Sequence, residues 1–176
     1  SDRIEHFEVS YFHDTNQTLS FSQIREKTFE QTTPNAFTFG YIPGQVWFKL
    51  TLHNQSQSEQ FILNFSEAFY ENFILYTPVG DEWIKDEAGI SKPIEERTIY
   101  NATPSFLLHL KPNETKTYYL KTYSKFAQVG KLSLQKYETY FTQEKTRVVG
   151  LYMFYFGGLV VIIILNIFLS VRLQES

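Results

Sequence analysis

The chain has 176 residues, a net charge of −3 and no cysteine, with 43% hydrophobic and 18% aromatic residues. That length holds one ordinary domain and a little more, and the apolar content is ample for a packed core. The mild acidity argues against a nucleic-acid binder, and the lack of cysteine excludes disulfides, thiol catalysis and thiolate metal sites.

Residues 6–12 (HFEVSYF) alternate apolar and polar side chains with period two, the pattern of a half-buried strand. Ser20 and Gln23 make a capping-box pattern that opens a short amphipathic helical turn through Lys27. Over 45–54 (QVWFKLTLHN), Val46, Phe48, Leu50 and Leu52 fall on one face and Trp47, Lys49, Thr51 and His53 on the other. The polar turn 54–58 leads into a strand over 59–65 that sets Phe61, Leu63 and Phe65 on one side. Residues 72–77 form the next strand, and the turn Pro78-Val79-Gly80-Asp81 lets 82–85 pair back. Residues 105–110 and 115–124, joined by Lys111-Pro112-Asn113-Glu114, read as a hairpin, and 131–137 as one more strand. About seven or eight short strands with frequent turns predict an all-β antiparallel sandwich over 1–137.

Residues 138–147 (ETYFTQEKTR) are polar and lack Gly and Pro, so they are expected to form a helical linker, a rigid joint able to carry a mechanical signal. From Val148 to Val171 the chain runs 24 residues without a charge. A helix of that length is about 36 Å long, enough to cross a hydrocarbon core about 30 Å thick. A buried core helix usually stops sooner, so 148–171 is expected to be a transmembrane helix and 172–176 the truncated start of the next segment. Lys145 and Arg147 precede the span and Arg172 comes after it, which leaves its orientation open. Tyr152, Phe154, Tyr155 and Phe156 cluster near its first end like an interfacial aromatic belt. Gly150 and Gly157, with Gly158 beside them, would let another helix approach closely, and Asn166 should face protein rather than lipid. These four residues suit a helix inside a bundle.

Catalytic signals are thin. His6, His13, His53 and His109 are scattered, with no pair four apart, and the outward-facing His53 and His109 read as solvated. Asp81, Glu82, Asp86 and Glu87 lack calcium-loop spacing, and the adjacent Glu95 and Glu96 would point to opposite faces of a strand. No phosphate loop, dinucleotide fingerprint or nucleophile elbow is present. Aromatic residues beside polar loops carry more information, because sugars and other amphipathic ligands lie on such rings. Trp47, inside a strand, is expected to pack in the core. Trp83 at a hairpin tip, Tyr70, Glu71 and Asn72 in a loop between strands, and Arg97 and Tyr100 after the variable loop 86–96 are the candidate ligand-binding residues. Arg97 would meet an anionic group through a bidentate contact. Asn16, Asn54, Asn64, Asn101 and Asn113, each with Ser or Thr two places on, read as turn residues.

The order of these signals resembles the sensory region of the bacterial seven-transmembrane receptors with diverse intracellular signalling modules (7TMR-DISM). The residues that carry the resemblance are Gly40-Tyr41, then Trp47 to Asn54, an aromatic strand ending in an asparagine turn. Arg97 matches the arginine that members place after the variable loop, and Gly150-Leu151-Tyr152 through Leu169 is similar to the start of their first membrane helix. The resemblance spans about residues 5–173. It implies a periplasmic jelly-roll domain, similar to carbohydrate-binding modules. Residues 1–147 would lie outside the bacterial inner membrane and 172–176 on its cytoplasmic side. The implied function is reception of a small molecule, a carbohydrate or carboxylate, and its relay through further membrane helices to a cytoplasmic output module. The expected partners are that ligand, the lipid bilayer and the sister helices. A homodimer is left open, and no enzyme activity within the chain, cofactor, metal or nucleic acid is expected. A single-pass cell-surface binding module or adhesin is the alternative, and a membrane-anchored hydrolase a more distant one.

Overall fold

Alternation of apolar and polar side chains becomes strand structure almost wherever it occurs. The computed structural model describes residues 3–4, 9–32 and 35–174. In chain order the elements are β1 (Arg3–Ile4), β2 (Val9–Asp14), α1 (Phe21–Arg25), β3 (Glu30–Thr32), β4 (Ala36–Gly40), β5 (Gln45–His53) and β6 (Gln60–Phe65). They continue with β7 (Asn72–Val79), β8 (Glu82–Ala88), a 3-10 turn (Ile94–Glu96), β9 (Ser105–His109), β10 (Thr115–Tyr123), β11 (Gln128–Lys136) and α2 (Tyr137–Gln174). Of the strand expected over 6–12, residues 6–8, and with them His6, lie outside the described residues.

Two antiparallel sheets form. One has the order β3-β2-β5-β10-β7-β8; the other has the order β1-β11-β6-β9, with β4 also paired to β11. Their inner faces supply the core that the period-two reading marks out. Val46, Phe48, Leu50 and Leu52 of β5 and Tyr118 and Leu120 of β10 meet Phe61, Leu63 and Phe65 of β6, Phe106 and Leu108 of β9, and Leu132 and Leu134 of β11. Each of these large apolar side chains contributes about 1.5–3 kcal/mol by leaving water. The result is an all-β sandwich.

One expectation is corrected. Residues 105–110 and 115–124 are not a hairpin: β9 pairs with β6 in one sheet, while β10 pairs with β5 and β7 in the other. The turn 111–114 therefore carries the chain across the core. It is closed by Glu114 N–H donating to the Lys111 carbonyl at 3.0 Å and Lys111 N–H donating to Glu114 Oε2 at 2.7 Å. The turn at 54–58 makes the same kind of crossing, and Asn54 ties the two together. Its buried side-chain amide donates to the carbonyls of Ser58 and Leu110, and its backbone N–H donates to Glu114. Adjacent strands of a sandwich that face each other across the core show the same alternation as a hairpin, so turn chemistry alone does not separate the two.

The chain divides into two compact units, Ser1–Tyr137 and Glu138–Ser176. The second consists of α2, helical without interruption from Tyr137 to Gln174. It is long and apolar enough to cross a membrane. Within it Asn166 Nδ2 donates to the Ile162 carbonyl at 2.8 Å, and a β-carbon placed on Gly150, Gly157 or Gly158 would meet open space.

Candidate functional site: the outer face of the six-stranded sheet

The core takes one face of β5, and the other face carries the candidate site. Register places Trp47 opposite Lys121 and Phe12, and Tyr119 opposite Lys49 and Tyr76, so these side chains share the outer face. Over them lies α1. Its capping box is complete: Ser20 Oγ accepts from the Gln23 N–H at 3.4 Å, and Gln23 Oε1 accepts from the Ser20 N–H at 2.9 Å. That reciprocal pair satisfies donors which so short a helix cannot bond internally. The single turn so fixed buries Ile24 fully against Trp47, Tyr76 and Tyr119.

Aromatic contacts bind the cover to the sheet. Phe21 stacks on Tyr76 with centroids 4.0 Å apart and meets Trp83 edge-on at 5.0 Å and Tyr119 at 5.5 Å. Three cations lie over these rings: Arg25 is 5.0 Å from the Trp83 ring, Lys121 is 5.6 Å from Trp47, and Lys85 is 5.6 Å from Tyr76. Burial lowers the Lys121 pKa, and Lys85 adds to the shift, while Asp14 and Glu87 oppose it. Burial likewise raises the phenols of Tyr76 and Tyr119. A chain of negative net charge thus gathers cations on one aromatic surface.

Beside this cover a groove of about 420 Å³ opens, lined by Ser10, Lys27, Thr28, Phe29, Lys49 and Thr51. Thr51 Oγ1 lies 3.0 Å from Thr117 Oγ1 on the neighbouring strand. The lining offers two ammonium groups, three hydroxyls and an aromatic wall, and no carboxylate. Such a set complements a small anion that also carries hydroxyls.

The six ligand-binding residues expected from sequence divide between two places. Trp83 is on the outer face, two residues past the hairpin turn, under Phe21 and Arg25. Tyr70, Glu71, Asn72 and Arg97 gather near the loop 89–92, whose Ile90 and Ser91 N–H groups donate to the Tyr70 and Glu71 carbonyls, and the side chains of Tyr70, Glu71 and Arg97 hold backbone. Tyr70 is fully buried, its phenol donates to the Val129 carbonyl at 3.1 Å, and burial raises its pKa well above the ordinary phenol range. Glu71 Oε2 accepts from the Lys125 N–H at 2.8 Å, and Asn72 opens β7. Arg97 donates from Nε and both terminal nitrogens to the carbonyls of Lys92, Asn101 and Gly89, at 2.6–3.1 Å. The guanidinium is thus committed on all three nitrogens, so the bidentate anion contact expected of it gives way to a brace on the loop. Tyr100 is 74% exposed.

Among the described residues no three His, Cys, Asp or Glu side chains gather as metal ligands. His53 and His109 are exposed, and Asp86 accepts from the Thr98 hydroxyl at 2.9 Å. The sequence does not single out the groove residues. Lys49 and Thr51 are visible as outward positions of a strand, but Lys27, Thr28 and Phe29 join them only through the path the chain takes after α1.

Fold and composition together define a class: an antiparallel β-sandwich with one helix of membrane-spanning length and apolarity after it. The chain belongs to the 7TMR-DISM extracellular 2 family, whose model matches residues 7–136, and so to the extracellular sensory domains of seven-transmembrane receptors. No curated protein matches it. Among solved structures it is similar to the beta-glucuronidase of Ruminococcus gnavus, at 8% identity and a TM-score of 0.44, over 76% of this chain and 29% of that one. It is also similar to the beta-glucosidase of Kluyveromyces marxianus, at 12% identity and a TM-score of 0.40, over 73% of this chain and 16% of that one. The same enzyme in complex with glucose gives 15% identity and a TM-score of 0.39, with the same coverage. The chain therefore spans less than a third of each of these proteins.

Proposed function

We propose that this extracellular domain receives a small hydroxylated anion, a carboxylate or an acidic sugar, in the groove between Lys27 and Lys49. The observation that carries the reading is a recess that pairs two ammonium groups with the hydroxyls of Ser10, Thr28 and Thr51 against the Phe29 ring, with no acidic side chain in its lining. Trp83 and the covered aromatic surface extend the same face. The domain works as a periplasmic sensor in the bacterial inner membrane, with α2 as the first of several membrane helices leading to a cytoplasmic output. Gly150, Gly157 and Gly158 supply one surface on which a sister helix packs, and Asn166, about half a turn around α2 from Gly150 and Gly157, faces a second neighbour. Ligand shifts the receptor between two states to the extent that it binds one of them more tightly.

A thermal-shift screen of the chain in dodecylmaltoside micelles, against glucuronate, galacturonate, citrate, glucose and galactose, tests this. Stabilisation by the acids, lost in Lys49→Met and Lys27→Met, is the expected result. Stabilisation by the neutral sugars alone, or an acid response that both variants keep, would overturn it.

A further inference from the structure

Successive residues of β2 point to opposite sides of the sheet, and they line two recesses of opposite chemistry. Ser10 borders the lysine groove. Tyr11 and His13 border a second recess of about 330 Å³, completed by Glu30, Phe39, Ile42 and Val46, with Phe12 also on its border. Val46 is fully buried in the core, and Tyr11, Phe39 and Ile42 pack against that core while staying partly open. This recess therefore runs in from the edge of the sandwich between its two layers.

Its polar equipment differs from that of the groove. The Tyr11 phenol donates to Glu30 Oε2 at 2.6 Å, which fixes the carboxylate at the mouth and leaves Oε1 available. The Tyr11 and Phe39 rings lie 4.8 Å apart, tilted by 41°. His13 Nε2 lies 2.5 Å from the Pro43 carbonyl and donates to it. No Lys or Arg is in the lining. A held carboxylate beside two partly open aromatic rings is an arrangement that attracts an organic ammonium: the anion supplies charge, and the open part of the rings supplies cation–π attraction. The partly open Ile42, backed by the buried Val46, asks that the ammonium carry a hydrocarbon group.

We infer that this recess is a second ligand site, which takes a small ammonium compound bearing an apolar group. The charge lies against Glu30 and the Tyr11 and Phe39 rings, and the apolar part lies over Ile42. The inference does not depend on what occupies the lysine groove.

Benzyltrimethylammonium is the probe, with benzyl alcohol as its uncharged counterpart. Each is titrated calorimetrically into the chain in dodecylmaltoside micelles, whose headgroup holds no ammonium, with empty micelles as the blank. The cation is expected to bind at low millimolar concentration or below, and benzyl alcohol about tenfold more weakly. Glu30→Gln should weaken the cation about tenfold and leave benzyl alcohol unchanged. Glu30 is exposed and its substitution is nearly isosteric, and circular dichroism melting checks the fold. Phe39→Leu, which keeps the bulk and removes the ring face, should cost the cation several-fold more than it costs the alcohol. Equal affinity for the two probes, equal binding of the cation by Glu30→Gln and the parent chain, or no binding at about 10 mM would overturn the inference.

Discussion

Phe65 lies directly over Gly130: a β-carbon built on that glycine would be 2.3 Å from the Phe65 Cζ atom. The ring has little room to retreat, since Phe73 stands 4.6 Å away, Tyr70 5.0 Å and Phe37 5.7 Å, measured between centroids. Gly130→Ala should therefore destabilise the sandwich by about 2 kcal/mol, the usual size of an overpacking penalty. Urea unfolding monitored by near-ultraviolet circular dichroism measures it. Phe65→Leu in the same chain should recover part of the loss.

Arg97 separates two roles by stability alone. A side chain that holds the Gly89, Lys92 and Asn101 carbonyls is expected to matter in the absence of any ligand. Arg97→Lys should cost about 1–3 kcal/mol, because a single ammonium cannot reproduce the planar fork. Unchanged unfolding in Arg97→Lys would return the residue to the pool of ligand contacts.

The cover over the outer face is tied down at few points, so small changes should loosen it. Ser20→Ala removes the capping box at a cost of about 1 kcal/mol, and Ile24→Ala removes the buried anchor at a cost of about 2–4 kcal/mol. In a Trp83→Phe background, where Trp47 is the single tryptophan, Ile24→Ala should red-shift the fluorescence as water reaches the ring. An unshifted spectrum would mean that Trp47 is shielded without α1.

Alkaline pH should unfold the sandwich through its buried phenols. Burial, aided by the charge of Glu67, raises the pKa of Tyr70 above its ordinary 10.0, and burial aided by Glu114 does the same for Tyr118. Above about pH 10 the unfolded chain releases these protons while the folded one retains them, so stability is full below that point and falls as pH rises beyond it. Tyr70→Phe keeps the ring and removes the titration, so its stability should decline less steeply between about pH 10 and 12. Equilibrium unfolding at a series of pH values gives the two slopes.

The sandwich is legible in the sequence because its long strands alternate cleanly. Val46 to Leu52 and Phe61 to Phe65 lie on the faces their spacing assigns, and the Ser20–Gln23 box caps the helix it announces. The short strands are not legible, since three residues at Glu30–Thr32 and five at Ala36–Gly40 owe their conformation to the partners beside them. Pairing is misread at 111–114, where the same alternation serves a crossing between sheets. The ligand residues are hardest. Tyr70 and Arg97 carry polar groups in loops, as binding residues do, but each spends them on backbone carbonyls that only the folded chain brings near. Trp47 is buried, as its place inside a strand predicts, but on the outer side and under a helical turn.

Lys136 closes β11 and Tyr137 opens α2, with no residue between them and no break in the helix before Gln174. An α-helix turns by about 100° for every residue, so one alanine inserted anywhere in 138–147 would rotate Gly150, Gly157 and Asn166 together by about 100° relative to the helix residues before it. The number of residues between Tyr137 and Gly150 is thus an angular setting along α2 as well as a length.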